Sequence, residues 1–293
     1  MYVVAGVSGK TGAVVADSLL RAHKRVTVVV RDVAKGAPWR ARGAEVAVAS
    51  LDDPQALARA LAGATGAYLL SPQDMRSADP ISDGWRMADA IARAVEDSGL
   101  PHLVLLSALG AQHAEGTGLV RTLRAAEERL AQASAKITFL RAAYFLENWA
   151  SVLGAVAEGK LPTFIHPDCV APMVSVRDIG AVAARALLEG PPADRREIVE
   201  LAGPRDYSPR DLAAALGGLL GRAVQPEHVP LEALVPTFTG FGASAAFAEQ
   251  VRLLHKALEG GKLVGHGEGT RVLRGSVGAE VVLGALLAAG QPS

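Results

Sequence analysis

The chain has 293 residues, half of them apolar, and its 30 basic and 30 acidic side chains leave no formal net charge. That balance argues against a nucleic-acid footprint, which raises the isoelectric point or gathers lysine and arginine on one face; no apolar run approaches the roughly 18 residues that read as a membrane span. A single cysteine, Cys169, excludes an internal disulfide and any multi-cysteine zinc site, and an N-terminus without basic leader or cleavage site predicts a cytoplasmic chain.

Tyr2–Ala5 reads as a buried strand, and the segment from Thr11 to His23 has helical spacing. Gly6, Gly9 and Gly12 lie between and at the start of that helix. In a strand-to-helix turn such glycines have separate tasks: a tight turn, close approach of backbone to a pyrophosphate, and close packing of helix on strand. The helix N-terminus adds free N–H groups and a partial positive charge. The reading is dinucleotide binding, against a tight turn without a ligand. A second strand, Arg25–Val30, ends in Arg31 and Asp32. An acidic residue about 20 positions past the glycines holds the ribose 2′-hydroxyl of NAD, and an arginine there suits a 2′-phosphate. Arg31 falls in that slot and its planar fork of donors favours NADP(H), with Asp32 one step beyond and Lys35 and Arg40 adding charge nearby.

Ala44–Ala49 predicts a third strand, and Ser50–Pro54 caps a helix over Gln55–Leu61. Thr65–Leu70 is a fourth strand ending at Ser71 and Pro72, and Ile81–Ser98 is a long amphipathic helix. His102–Ser107, a helix over Leu119–Ala133 and Lys136–Arg141 follow. This alternation predicts an α/β fold, a doubly wound parallel Rossmann sheet between two helical layers. After Tyr144 the pattern changes: a helix over Glu147–Glu158, an irregular stretch to Pro172, a strand at Met173–Val176, a helix over Arg177–Leu188 and a strand at Glu197–Leu201. A mostly helical remainder begins at Ser208, with loops expected at Val235–Gly242 and Gly260–Gly269. The domains expected are a dinucleotide-binding unit over 1–145 and a smaller, mainly helical substrate lobe over 146–293, interleaved with returns to the main sheet at about 173–201.

Several phrases together resemble the NmrA-like branch of the atypical short-chain dehydrogenase/reductases. They are Val4-Ala-Gly-Val-Ser-Gly-Lys-Thr-Gly12, Val30-Arg-Asp32, Leu51-Asp-Asp53, Leu105-Leu-Ser-Ala-Leu-Gly110 and Glu127 through Leu130. Phe139-Leu-Arg-Ala-Ala-Tyr-Phe-Leu-Glu-Asn-Trp149, the most specific, and Val174-Ser-Val-Arg-Asp-Ile-Gly-Ala-Val182 complete the set, in the family's order, between residue 2 and about residue 230. The resemblance implies NADP(H) in the groove at the C-terminal edge of the sheet. Position by position it puts Gly6, Gly9, Gly12 and the backbone around Ser8, Lys10 and Thr11 at the pyrophosphate, and Arg31 at the 2′-phosphate. Leu51 and Asp52 would lie by the adenine, and Leu70, Ser71 and Pro72 on the ribose and nicotinamide side. Ser107 and Ala108 would flank the nicotinamide, Ala143, Tyr144 and Phe145 would close over it, and Glu147 and Asn148 would start the roof. Ala142 and Ala143 stand where the family commonly has Pro-Gly, which implies a less rigid loop.

Catalytic members of the wider superfamily use Tyr-x-x-x-Lys. Aligned on Glu127, those two positions are Leu119 and Leu123, and no tyrosine or lysine occurs between Ala111 and Ala135. Two readings follow. In the first, the protein is an NADPH-dependent reductase that works by holding an electron-poor acceptor, such as a quinone, azo compound or imine, against the nicotinamide. The proton-donor candidates are His113, Thr117 and Tyr144, and the substrate-side candidates are Asn148, Phe238 and Phe241. In the second, it binds NADP(H) without turnover and signals redox state to a protein partner. The reductase is preferred, with a small aromatic or electron-poor substrate, no nucleic acid or membrane partner, and a homodimer allowed. His166, Asp168 and Cys169 lack the spacing of a metal site. Glu127, Glu128 and Arg129 read as a charged helix face, and Arg195 and Arg196 as a solvated turn.

Overall fold

Continuous valine and leucine strands, each flanked by amphipathic helices, set the plan of the molecule. The computed structural model describes residues 1–265 and 269–290, so residues 266–268 of the expected Gly260–Gly269 loop lie outside the described residues. In chain order come β1 (Tyr2–Ala5), α1 (Lys10–Arg21), β2 (Val26–Val30), α2 (Val33–Arg40), β3 (Glu45–Val48), α3 (Pro54–Leu61), β4 (Gly66–Leu70), α4 (Pro80–Ser98), β5 (His102–Ala108), α5 (Val120–Leu130) and β6 (Lys136–Ala142). The chain continues through β7 (Tyr144–Phe145), 3-10 turns over Leu146–Glu158, β8 (Lys160–Thr163), β9 (Ala171–Val174), α6 (Val176–Glu189), β10 (Arg196–Ala202), β11 (Asp206–Tyr207) and α7 (Pro209–Leu220). It ends with β12 (Gln225–His228), α8 (Leu234–Gly240), α9 (Ala245–Glu259), β13 (Arg271–Arg274) and α10 (Ala279–Gly290).

Eight strands form one sheet in the order β13-β10-β6-β5-β4-β1-β2-β3, and every neighbouring pair is parallel. Both faces of the central strands are buried, which is why β1, β4 and most of β2 and β5 are apolar rather than alternating. Val4, Val28, Tyr68 and Val104 point to the side covered by α1 and α6. Val3, Val29, Leu69 and Leu105 point to the side covered by α3, α4 and α5. The helices start where short polar side chains satisfy their free N–H groups: Asp53 accepts from Gln55 and Ala56, Asp79 from Ser82, and Ser208 forms a reciprocal box with Asp211. Strand order turns back between β1 and β4, and such a switch point opens a crevice at the carboxyl ends of the strands.

The C-terminal part is mainly helical, as expected. It carries two small sheets, β11-β9-β7 and β12-β8, beside its helices. The strand expected at Met173–Val176 is Ala171–Val174, because Ser175 caps α6 by accepting from the Arg177 N–H, and it joins the small sheet rather than the main one. Of the stretch 173–201, β10 rejoins the main sheet, and β13 adds a further strand beside it from what reads as helical remainder. The Val235–Gly242 loop is instead α8 over Leu234–Gly240, where the hydroxyls of Thr237 and Thr239 bond back to the Ala233 and Val235 carbonyls. The helix expected over Glu147–Glu158 is wound in the tighter 3-10 form. Arg196 is not a solvated turn residue. It donates to the carbonyls of Leu130, Ala131 and Ala133 at 2.9, 2.7 and 2.7 Å, closing the end of α5 where carbonyls lack helical partners. Among the described residues no helix is long and apolar enough to cross a membrane.

Candidate functional site

At the switch point the chain leaves β1 into Gly6, whose φ of +70° is the left-handed conformation that side chains disfavour. The Gly9 N–H donates to the Gly6 carbonyl at 2.9 Å and closes the turn. A Cβ on Gly12 would stand 2.3 Å from the Ala5 carbonyl oxygen, so only glycine lets α1 lie this close to β1. Gly9 then caps α1 without a side-chain bond, and the first turn holds no acidic residue. Free N–H groups and the positive end of the helix dipole are left for an anion. Ser8, Gly9 and Lys10 are exposed there, whereas Thr11 turns inward and its hydroxyl accepts from Tyr68 Oη at 2.9 Å.

Arg31 lies exposed at the end of β2, and among the described residues its guanidinium has no hydrogen-bond or ion-pair partner. Asp32 is engaged: its carboxylate accepts from the Ala34 N–H at 2.9 Å and caps α2. The free side chain in this slot is therefore the cationic one. Beyond β3, Leu51 is half-buried against the core and Asp52 is exposed. At the end of β4, Leu70 fills the space a Gly6 side chain would need, with Cδ2 at 2.5 Å from that Cβ position. Ser71 is buried with its hydroxyl unpartnered among the described residues, and Pro72 is exposed. Buried hydroxyls are normally bonded, so the orphan at this strand end fits a ligand that brings a hydrogen bond.

Ser107, at the end of β5, is already engaged within the protein. Its hydroxyl donates to Glu127 at 2.6 Å, and Arg141 grips the same carboxylate at 2.6 and 3.0 Å. All three are buried, so Glu127 belongs to an internal ion pair and not to a charged helix face. Ala108 is half-buried and Ala143 buried, the latter tied to β10 by its N–H to the Leu201 carbonyl at 2.9 Å. In β7, Phe145 packs toward the core beneath α1 and α6, and Tyr144 toward the core of the C-terminal part. Burial lifts the Tyr144 hydroxyl to about 12, opposed by a hydrogen bond with the Asn148 side chain. It is a protonated phenol at neutral pH. The roof segment is pinned at its start. The Glu147 carboxylate accepts from the Ser175 hydroxyl at 2.9 Å and the Val176 N–H at 3.0 Å, and its carbonyl accepts from Lys10 Nζ at 3.1 Å. Lys10 thus spans from the glycine turn to the roof.

Across the C-terminal part runs a wall of rings. Tyr144 stands edge-on to His255 of α9 with centroids 6.2 Å apart, His255 edge-on to Phe164 at 6.3 Å, and Phe164 against Phe238 of α8 at 6.5 Å. Phe238 was expected on the substrate side; Phe241 was too, but it is 78% exposed beyond the end of α8 and takes no part in the wall. Sequence reasoning missed His255 and Phe164, since one histidine in an amphipathic helix and one phenylalanine after a short strand carry no periodic signal. His113 is half-buried in a turn closed by its N–H to the Gly110 carbonyl at 3.0 Å. Thr117 is fully buried with its hydroxyl unpartnered among the described residues. Neither has a ring contact or hydrogen bond to the wall among the described residues. Asp168 pairs with Arg210 at 2.7 Å, a bond that holds its carboxyl below the usual range.

A family model described as the NmrA-like family matches residues 2–263. An NAD(P)H azoreductase from Xenophilus azovorans is 27% identical over 256 residues, which span 87% of this chain and 86% of that one. Among solved structures, an NADPH-dependent quinone oxidoreductase from Escherichia coli complexed with NADPH aligns with a TM-score of 0.81 at 22% identity, covering 98% of this chain and all of that one. A triphenylmethane reductase from Citrobacter sp. complexed with NADP(H) gives a TM-score of 0.81 at 20% identity, covering 97% of this chain and all of that one. These structural likenesses establish a shared fold.

Proposed function

This chain belongs to the NmrA-like family, and from that premise we propose that it is an NADPH-dependent reductase whose acceptor is a flat, electron-poor molecule such as a quinone, an azo compound or an imine. The observation that carries the reading is the free Arg31 beside an engaged Asp32, next to an uncapped α1 at the switch point. A 2′-phosphate and a pyrophosphate fit those two places by charge and geometry. The azoreductase and quinone oxidoreductase named among the relatives support the same class of chemistry.

NADPH, when bound, supplies the hydride. The residues of this chain bind, orient and exclude water. The glycine turn and the N–H groups of α1 hold the pyrophosphate, Arg31 holds the 2′-phosphate, and the Ser71 hydroxyl acquires the partner it lacks. Tyr144 and Phe145 close over the nicotinamide, and the rings of Tyr144, His255, Phe164 and Phe238 hold an aromatic acceptor flat. Positioning of two reactants in this way supplies much of a rate enhancement without a dedicated acid. Leu119 and Leu123 cannot replace a Tyr-x-x-x-Lys pair, and no tyrosine or lysine lies between Ala111 and Ala135. Tyr144 keeps its proton at neutral pH and donates a hydrogen bond to oxygen or nitrogen that gains charge, while the proton that completes reduction comes from solvent.

The test is NADPH fluorescence on mixing with protein, followed by a panel of quinone, azo and imine acceptors. Enhancement that then decays only with acceptor supports the reductase and identifies the acceptor class. Enhancement that persists with every acceptor would sink turnover and leave NADP(H) binding alone.

A further inference from the structure

We propose that His255 is the acceptor-recognition residue of this site, its unprotonated Nε2 selecting ring acceptors that carry a hydroxyl or N–H donor. The inference rests on the reductase reading only for where the ligand lies, at the ring wall. His255 Nδ1 is 2.9 Å from the Val251 carbonyl one turn earlier in α9. A carbonyl only accepts, so Nδ1 carries the ring proton, and a neutral imidazole has only one. Nε2 is left as a lone-pair acceptor on the side of the ring away from its own helix, with no partner among the described residues.

The surroundings keep it so. His255 is 8% exposed and stands edge-on to Tyr144 and Phe164. Burial lowers its basicity; the Val251 carbonyl and Glu259, one turn farther along α9, oppose that. Tyr144 of β7 faces it as a neutral phenol. The Nε2 atom stays within reach of solvent while most of the ring is buried, and a ligand that brings a donor to it gains a hydrogen bond that an otherwise identical ligand without one does not. Sites built to pair a substrate hydroxyl reject the analogue that lacks it far more strongly than apolar pockets reject a change of size. The rings flanking His255 ask for a flat apolar body, and its Nε2 asks for a donor at the edge of that body. Hydroxyl- or N–H-bearing aromatic acceptors satisfy both demands, and their methyl ethers only the first.

The experiment compares 4-hydroxyazobenzene with 4-methoxyazobenzene. Binding to the NADP⁺-loaded protein is measured by absorbance titration and reduction by NADPH oxidation, for wild type, His255→Phe and His255→Gln. Wild type is expected to bind the hydroxy form about tenfold more tightly, the scale of one neutral hydrogen bond. His255→Phe retains a ring between Tyr144 and Phe164 and loses the preference. His255→Gln, with an amide oxygen near the Nε2 position, recovers part of it. An unchanged NADPH titration in each variant shows that the fold is intact. No preference in wild type, a preference that survives in His255→Phe, equal weakening of both compounds, or binding of neither would each overturn the proposal. Preferential binding of the hydroxy form with no reduction of either compound would overturn the reductase reading and leave this recognition role standing.

Discussion

Glu127 and Arg141 form a buried two-pronged ion pair at 2.6 and 3.0 Å, which locks α5 to β6. Ser107 adds a bond from β5 to the same carboxylate at 2.6 Å. Removing one partner strands a charge away from water, at a cost of about 3–5 kcal/mol, whereas replacing both with apolar side chains is far milder. Arg141→Leu is therefore expected to lower the urea midpoint sharply, and Glu127→Leu with Arg141→Leu to recover much of it. Equal loss in the single and double variants would contradict this account.

Arg31→Ala tests the cofactor. Charge-assisted bonds contribute about 1.5–3 kcal/mol, or roughly 10- to 100-fold in affinity. NADPH binding should weaken by that factor in a fluorescence titration, while NADH binding stays within about twofold. Equal weakening of both cofactors would remove Arg31 from the 2′-phosphate.

Gly12 and Gly9 make a graded pair. A Cβ on Gly12 would meet the Ala5 carbonyl oxygen at 2.3 Å, and on Gly9 the Gly6 oxygen at 3.2 Å. The first demands that α1 move off β1; the second asks for a shift of a few tenths of an ångström. Gly12→Ala is expected to cost about 2 kcal/mol or more in thermal or urea unfolding, in the range of overpacking, and to abolish NADPH binding. Gly9→Ala should keep the fold. If both variants unfold alike, close packing at Gly12 is not the constraint.

His102 is buried at the start of β5 with Nε2 3.5 Å from Thr138 Oγ1, and burial pushes its pKa down to about 4. The folded value lies below the ordinary 6.5, so between those values the unfolded chain binds the extra proton. Stability is full above pH 6.5 and falls as the pH drops toward 4, by at most about 3 kcal/mol from this group. The difference in unfolding free energy between wild type and His102→Phe, followed by urea titration from pH 7 to 4.5, should show that slope. A difference that does not vary with pH would refute it.

Tyr144 is held at about 12 by burial, too high to exchange its proton readily at neutral pH. Tyr144→Phe is expected to reduce kcat/KM less than about tenfold, the scale of one neutral hydrogen bond. No phenolic inflection should appear in the rate between pH 6 and 9. A loss of a thousandfold would make Tyr144 the acid and remove the solvent proton.

The glycine turn, β1 through β6 and the Arg31 slot were legible in the sequence because each is written in contiguous residues. β13 was not, since its four residues, with arginine at both ends and Val272 exposed on an edge strand, lack the apolar run of the central strands. α8 was hidden by glycine and proline that ordinarily signal a loop, and by threonines whose hydroxyls return to the helix backbone. Glu127 read as one more charge among Glu128 and Arg129, because nothing local shows that it faces Arg141.

By itself the sequence determined the parallel sheet, the glycine turn ahead of α1 and the cation at the end of β2, because periodicity, glycine geometry and strand ends are local properties of the chain. Only the tertiary structure decided that Asp32 is engaged and Arg31 free, that Ser107 serves a buried ion pair, and that His255 stands between Tyr144 and Phe164. Most of those relationships join residues far apart in the chain. Their energies depend on burial and on which partner a polar atom has already found, and neither exists until the chain has folded.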